Sequence, residues 1–475
     1  MNRTPHRAAG PRRRPALAIA SGVTLALAVA ALPAAATAPT PATVGGSPVT
    51  SARTVAAGST AGDDWPITEC GTYSGKGCAP TSARVDLVKP TFSHPTKITN
   101  PLFPISRTRQ VIQTGTVGGT PFRSETTLLP QTGTVDWDGT SIQVVLAQYL
   151  AFSDGEIEEI ALDRYAQADD GAVWYLGEDV FDYTDGTISV SEGTWLAGRD
   201  GPPAMIMPAH PKVGDVFRAE NILGVVFEEI KVTAVDQTVA GPTGPVRGAI
   251  TVSELRLDST FSHKTFAPGY GEFRTVDGGD VEALAVAAPT DAVPGPVPPA
   301  LRSLTTSAWG VVENARVEDW DGAAATVARM NRYWTTLKAG PQPRLVAARM
   351  TTALAALKAA VNARRTAATV QAGIDVAEAA LDLQLRHRSV DQVNAERVHQ
   401  HAQQLRLDAV TKNAAGVTGQ VAAVEWTTAR LPVPPVAAAE IDNRLRDLRT
   451  AADTRNLPAT ADHAARLAAR LRVLG

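Results

Sequence analysis

Period-two alternation dominates the chain from about residue 107 to 286. Ala172, Trp174 and Leu176 interleave with Val173, Tyr175 and Gly177, the spacing of a strand whose side chains point to opposite faces. Short β-prone runs recur, among them "SIQVVLAQYLAF", "EEIALDRYAQA", "TISVSEGTWL", "GVVFEEIKVTAV" and "RGAITVSELRL". Asp-Gly pairs at 138–139, 154–155, 170–171, 185–186 and 200–201 punctuate them. The first four are hairpin signals, because Asp-Gly tolerates the positive φ of tight primed turns. They lie 16, 16 and 15 residues apart, which predicts an antiparallel meander of long strands, a curved sheet or half-barrel. At the third pair Gly171 should take positive φ, and the neighbouring Asp169 should be dispensable.

Beyond a Pro-rich run at 287–302, "AAPTDAVPGPVPPALR", the period changes. Trp320, Ala323, Val327, Met330, Trp334 and Leu337 step by three and four, as do Met350, Leu354, Leu357 and Val361. Similar stripes follow through Val370–Leu381, Val398–Ala409, Val417–Leu431, Ile441–Leu448 and Ala464–Leu474, which predicts a bundle of about seven helices. "GPQP" (340–343) and "PVPP" (432–435) break the run, with shorter breaks near Thr366 and Ser389. The predicted class is α+β in separate domains, with the β unit at 107–286, the Pro-rich linker at 287–302 and the helical bundle at 303–475.

The N-terminus adds a compartment. "MNRTPHRAAGPRRRP" is a basic n-region, "ALAIASGVTLALAVAALP" an apolar h-region, and "AAATA" offers cleavage after Ala36 or Ala38. Residues 1–36 are therefore expected to be a signal peptide and the product secreted, with no integral membrane span after cleavage. Residues 37–65 are poor in large apolar side chains and should form a disordered tether. The only cysteines, Cys70 and Cys78, sit in "CGTYSGKGC". In an exported chain such a pair suggests a disulfide, which would staple a loop region spanning 66–106. The net charge of −3 gives no electrostatic case for nucleic acid.

Several of these runs together resemble a family. "NPLFPI", "DRYAQADDGAVWYLGED", "SEGTWLAGRDG", "MIMPAHPKVGD" and "FAPGYGEF" resemble an uncharacterised family of secreted, actinobacterial-type β-proteins with the motifs NPxFPx, YAQxxDGxVWYxGED and MPAHPKVGD. The likeness covers about 100–286. "LDLQLRHRSVDQVNAERVHQHAQQLRLDAV" similarly resembles a helical module of secreted actinobacterial proteins, of unknown function. The resemblance implies export and a division into β and α units, and no catalytic residue. The chain departs from the family pattern at Ala172 and Leu102.

Candidate chemistry is sparse. Met205, Met207 and His210 in "MIMPAHP" are soft ligands suited to a copper-type ion, set against a strand that ends in a Pro-flanked corner. Glu156, Glu158, Glu159, Asp163, Glu178, Asp179, Asp182 and Glu192 could include a hydrolytic pair, or could line a solvated face. The double Asp at 169–170 lacks the every-second-residue spacing of a calcium loop. His399 and His401 stand roughly 200° apart around a helix and should not share an ion. No GxSxG, SxxK or HExxH pattern occurs. The leading expectation is a non-catalytic binding or envelope-associated protein without a cofactor. Its partner would be a small molecule or an envelope component, held against an aromatic face of Tyr165, Trp174, Tyr175 and Trp195. The alternatives are an extracytoplasmic metal-binding protein and a hydrolase.

Overall fold

The computed structural model describes residues 77–222 and 224–474. The signal peptide, the tether and Cys70 lie outside the described residues. Among the described residues fourteen strands precede eight helices. The strands are β1 (Gln110–Val117), β2 (Thr120–Trp137), β3 (Thr140–Ser153), β4 (Glu156–Gln167), β5 (Val173–Thr184), β6 (Thr187–Val190), β7 (Trp195–Leu196), β8 (Ala204–Met207), β9 (Val216–Ile222), β10 (Val226–Ala240), β11 (Pro245–Arg256), β12 (Phe261–Ala267), β13 (Gly271–Asp277) and β14 (Asp280–Ala288). They form one antiparallel sheet in the order β6-β5-β4-β3-β2-β1-β14-β13-β12-β11-β10-β9. β7 and β8 also pair with β5, along the same edge as β6.

The meander is built as its turns predict. Both residues take positive φ at Asp138-Gly139, Asp154-Gly155 and Asp185-Gly186, the signature of primed hairpin turns. At the β4–β5 corner only Gly171 does, at +94°, while the Asp170 carboxylate accepts from the Ala172 N–H at 2.9 Å. The fifth pair makes no hairpin; Asp200 instead caps the Leu196 N–H. Pro130 lies within the register shift between Leu128 and Thr132, where the long strand β2 loses its ladder to β3.

Curvature separates two faces. Directly paired residues share a face, so Val286, Ile112, Glu125, Leu150, Ile160 and Phe181 form one row across six strands. This row is convex and lies under the helices. Leu128, Ala147, Asp163, Glu178 and Trp195 form another, on the concave face. The main core draws on β2–β5 and on β9–β12 together, so the two ends of the open sheet face each other as a half-barrel.

The helices are α1 (Pro299–Arg316), α2 (Trp320–Leu337), α3 (Arg344–Asn362), α4 (Thr366–Gln384), α5 (Val390–Thr411), α6 (Ala414–Ala429), α7 (Pro435–Asp453) and α8 (Leu457–Leu474). Asp319, Ser389 and Asn413 cap α2, α5 and α6 by accepting from the N–H three residues on. The seven predicted stripes match α2–α8; α1 is additional. It starts inside the Pro-rich run because Pro299 at its first position lacks only an N–H that would be unpaired anyway. Leu301, Leu304, Ala308, Val311, Val312 and Ala315 are its buried stripe.

The Pro-rich run is correspondingly short and pinned. β14 extends to Ala288 and α1 begins at Pro299. Between them the Asp291 carboxylate accepts from the Tyr270 hydroxyl and the Ala287 N–H, each at 2.9 Å, and the Val293 N–H donates to Arg386 O at 2.8 Å. Sheet and helices share buried contacts. Ile112, Ala285 and Val286 join the core of α1–α5, and Leu150, Phe152, Ile157 and Ile160 pack on Ala422, Ala423 and Trp426 of α6. Buried charges cross the same boundary. Arg123 meets Asp382 through two bonds of 2.9 Å, and Arg430 meets Glu125 at 2.5 Å.

Candidate functional site

The motifs that carry the resemblance meet at one end of the half-barrel. In "NPLFPI" the Asn100 amide donates to Pro208 O at 2.9 Å and to Gly171 O at 3.2 Å, and its oxygen accepts from the Leu102 N–H at 3.0 Å. Gln167 Oε1 accepts from the Thr99 and Asn100 N–H groups at 2.7 and 2.9 Å. The Gly269 N–H of "FAPGYGEF" reaches Pro101 O at 2.8 Å. Ile98, Leu102 and Ile105 enter the main core, and the Phe103 ring meets Tyr165 edge-on at 4.8 Å. These residues hold three corners of the sheet to one segment, a structural task.

Asp169 belongs to the same knot, which corrects the expectation that it is dispensable. Its carboxylate accepts from Thr91 Oγ1 at 2.9 Å, the Ser93 N–H at 2.8 Å and Ser93 Oγ at 3.0 Å. The Ser93 N–H, with Thr91 behind it, holds the carboxyl below its ordinary pKa. Its partners are far away in sequence, so the local pattern could not reveal them.

Above the knot the concave face is lined with acids. Glu159 and Asp163 come from β4, Glu178 from β5, Glu220 from β9, Glu228 from β10, Glu254 from β11, Glu272 from β13 and Glu282 from β14. Their mutual electrostatic influence closes a ring. Glu159 feels Asp163 and Glu282; Glu282 feels Glu272; Glu228 feels Glu254, Glu272 and Glu220; Glu220 feels Glu178, which feels Asp163. Lys264 of β12 lies within it, 2.8 Å from Glu254 and 3.7 Å from Glu272. Glu159, Glu220, Glu228, Lys264 and Glu282 are half-buried, so water reaches part of this recess.

The enclosed charges shift one another. Burial, with Asp182 and Asp163 nearby, pushes Glu159 up to about 8. Burial also takes Glu178 to about 8, Glu282 to about 7 and Asp163 to about 6. Glu220 and Glu228 are raised well above the carboxylate range, first by burial and then by Glu178 and Glu254 respectively. Glu254 moves the other way: burial opposes its charge, but the Lys264 ammonium outweighs it. Near neutral pH Glu159 and Glu178 therefore hold a proton, and their carboxyls can donate as well as accept. Glu178 and Glu220 are neighbours on this face, and each bears on the other's charge.

The expected aromatic face is part of this wall. The Tyr165 and Tyr175 rings stack at 4.8 Å, and Trp195 meets Tyr175 edge-on at 5.3 Å. The Tyr175 hydroxyl donates to Asp163 at 2.7 Å. Trp174 is buried in the same core. All four are less than one-tenth exposed; Tyr165, Tyr175 and Trp195 border the recess, whereas Trp174, next to Tyr175 on β5 and paired with Ala166, points to the other face. Gly177 makes room for Trp195: a Cβ there would lie 2.4 Å from Trp195 O, and φ is +129°.

The other sequence candidates stay apart. Met205 and Met207 fill the main core while His210 is exposed, so the thioethers and the imidazole do not converge. Among the described residues no three His, Cys, Asp or Glu side chains are grouped to hold an ion. His401 is buried, its Nδ1 2.9 Å from Gln420 Oε1, and His399 packs on Trp309. Burial brings both histidines down to about 4. Cys78 lies with Phe227 and Leu255, its Sγ 3.2 Å from Arg218 Nη2.

The chain matches no protein-family model and no curated protein. Of the recess acids, Glu159, Asp163 and Glu178 stood among the sequence candidates. Glu220, Glu228, Glu254, Glu272, Glu282 and Lys264 did not. Their one signal was an acid recurring inside β-prone runs, as in "FEEIKV" and "SELRL", and sequence could not say which face was enclosed. Adjacent Glu228 and Glu229 show why: Glu228 joins the ring, while Glu229 meets Arg218 at 3.1 Å on the other face.

Proposed function

We propose that this is a non-catalytic binding protein of the extracytoplasmic space that holds a small polar molecule in the acidic recess. The carrying observation is the closed ring of carboxyls, several partly reached by water, bordered by the Tyr165–Tyr175–Trp195 stack. Enclosed acids unmatched by cations cost stability, and a fold keeps such a feature where a ligand compensates it. Export, the Cys70–Cys78 disulfide and membership of the resembled family are parts of the same proposal, supported by the N-terminal pattern and the quoted motifs. Native and intact mass spectrometry of protein secreted by its own host tests it. The expected spectrum shows cleavage after Ala36 or Ala38, no alkylatable thiol, and a small-molecule adduct that Glu178→Gln weakens. An uncleaved chain with no adduct in any preparation would remove the proposal.

A further inference from the structure

The recess lacks one kind of group and offers another. Among the described residues Lys264 is the only cation ion-paired within the ring, and it serves Glu254 and Glu272 at one side. Among the described residues Glu159, Asp163, Glu178, Glu220, Glu228 and Glu282 have no cationic partner within salt-bridge distance. The same face holds an unused donor. Trp195 is fully buried and pairs directly with Glu178, which puts it on the recess face; its indole Nε1–H has no acceptor among the described residues. A simple inorganic cation would answer the carboxyls and leave the indole unanswered, and a neutral polyol would do the reverse.

The geometry points to a hydroxylated amine as the occupant, a compact molecule with a cationic nitrogen beside an oxygen acceptor, as in amino alcohols and amino sugars. The inference rests on the binding role proposed above and names its ligand class. The ammonium lies among the Glu178 and Glu220 carboxyls, where its charge offsets their burial and mutual repulsion. The oxygen accepts from Trp195 Nε1–H.

Calorimetric titration of the full chain with glucosamine, and with glucose as the matched neutral probe, tests this. Glucosamine should bind about tenfold tighter than glucose. Glu178→Gln combined with Glu220→Gln should erase that preference. Trp195→Phe, which removes only the N–H donor and part of the ring, should weaken both sugars by a similar factor of about fivefold. Lys264→Gln should tighten glucosamine, a gain that misfolding cannot produce. Equal affinity for the two sugars, or no change with Lys264→Gln, would overturn the inference and leave the binding role standing. If neither sugar binds, the amine assignment falls, and the mass spectrum of the secreted protein judges the binding role separately.

Discussion

The Asn100 side chain spends its amide donor on two other segments and its oxygen on the Leu102 N–H of its own, and it is almost fully buried. It bridges the β4–β5 corner to the residue that ends β8, while the Gln167 amide oxygen fixes the backbone beside it. Asn100→Ala would leave two carbonyls and one N–H unanswered, and Asn100→Asp would replace the donors by a repelled charge. Each should cost about 2 kcal/mol or more, read as a lower denaturation midpoint at unchanged slope. A neutral Asn100→Asp would mean that the knot is held by packing alone.

At the scale of elements the recess is a product of alternation. Seven strands, β4, β5, β9, β10, β11, β13 and β14, contribute one or two acids each to the enclosed face, and the helices take the other. A carboxyl whose folded pKa exceeds its unfolded one binds its proton more tightly in the folded state. Its stabilising contribution is complete below the ordinary value and is lost as pH rises through the folded value. Glu159 and Glu178, raised by burial to about 8, and Glu282, raised to about 7, all act in this sense. His399 and His401 oppose them only between about 4 and their ordinary 6.5. Above pH 6.5 the carboxyls stand alone, so thermal stability should fall toward about pH 8.5 by on the order of a few kcal/mol. The double change Glu159→Gln with Glu178→Gln should flatten that decline. A melting temperature that rises over this range in the unmodified protein would contradict the enclosure of the ring.

At the scale of the whole molecule, the sheet and the bundle are joined through buried charge. Arg123, Arg397 and Arg430 interlock with Glu125 and Asp382, and Arg349 adds pairs to Glu378 and Asp382 from the rim. Glu125 is held well below its ordinary pKa by Arg397, Arg123 and Arg430, which outweigh its burial. Removing one partner strands the rest. Arg430→Ala should cost about 3 kcal/mol or more, and in the unmodified protein tryptophan fluorescence and helical circular dichroism should report a single shared transition. Two separated transitions would show that the strands and helices fold independently.

Periodicity settled much in advance, because it is local. The change from period two to period 3.6, the four Asp-Gly corners and seven of the helical stripes follow from φ preferences and from one buried face per element. α1 escaped because proline at a helix start resembles linker by composition, although its Leu301–Ala315 stripe was present. The β4–β5 stretch was legible as a corner, and Tyr165, Tyr175, Trp195, Glu159, Asp163 and Glu178 were nameable as candidates. Their assembly was not. Alternation says that two faces exist, and only the curl of the sheet decides which one encloses its charges. It brings Glu220 beside Glu178 across 42 residues of chain, buries the Tyr165–Tyr175–Trp195 rings against one another, and binds Asp169 to Thr91 and Ser93. Short-range sterics write the elements into the sequence, whereas long-range desolvation and pairing exist only once the chain has closed on itself.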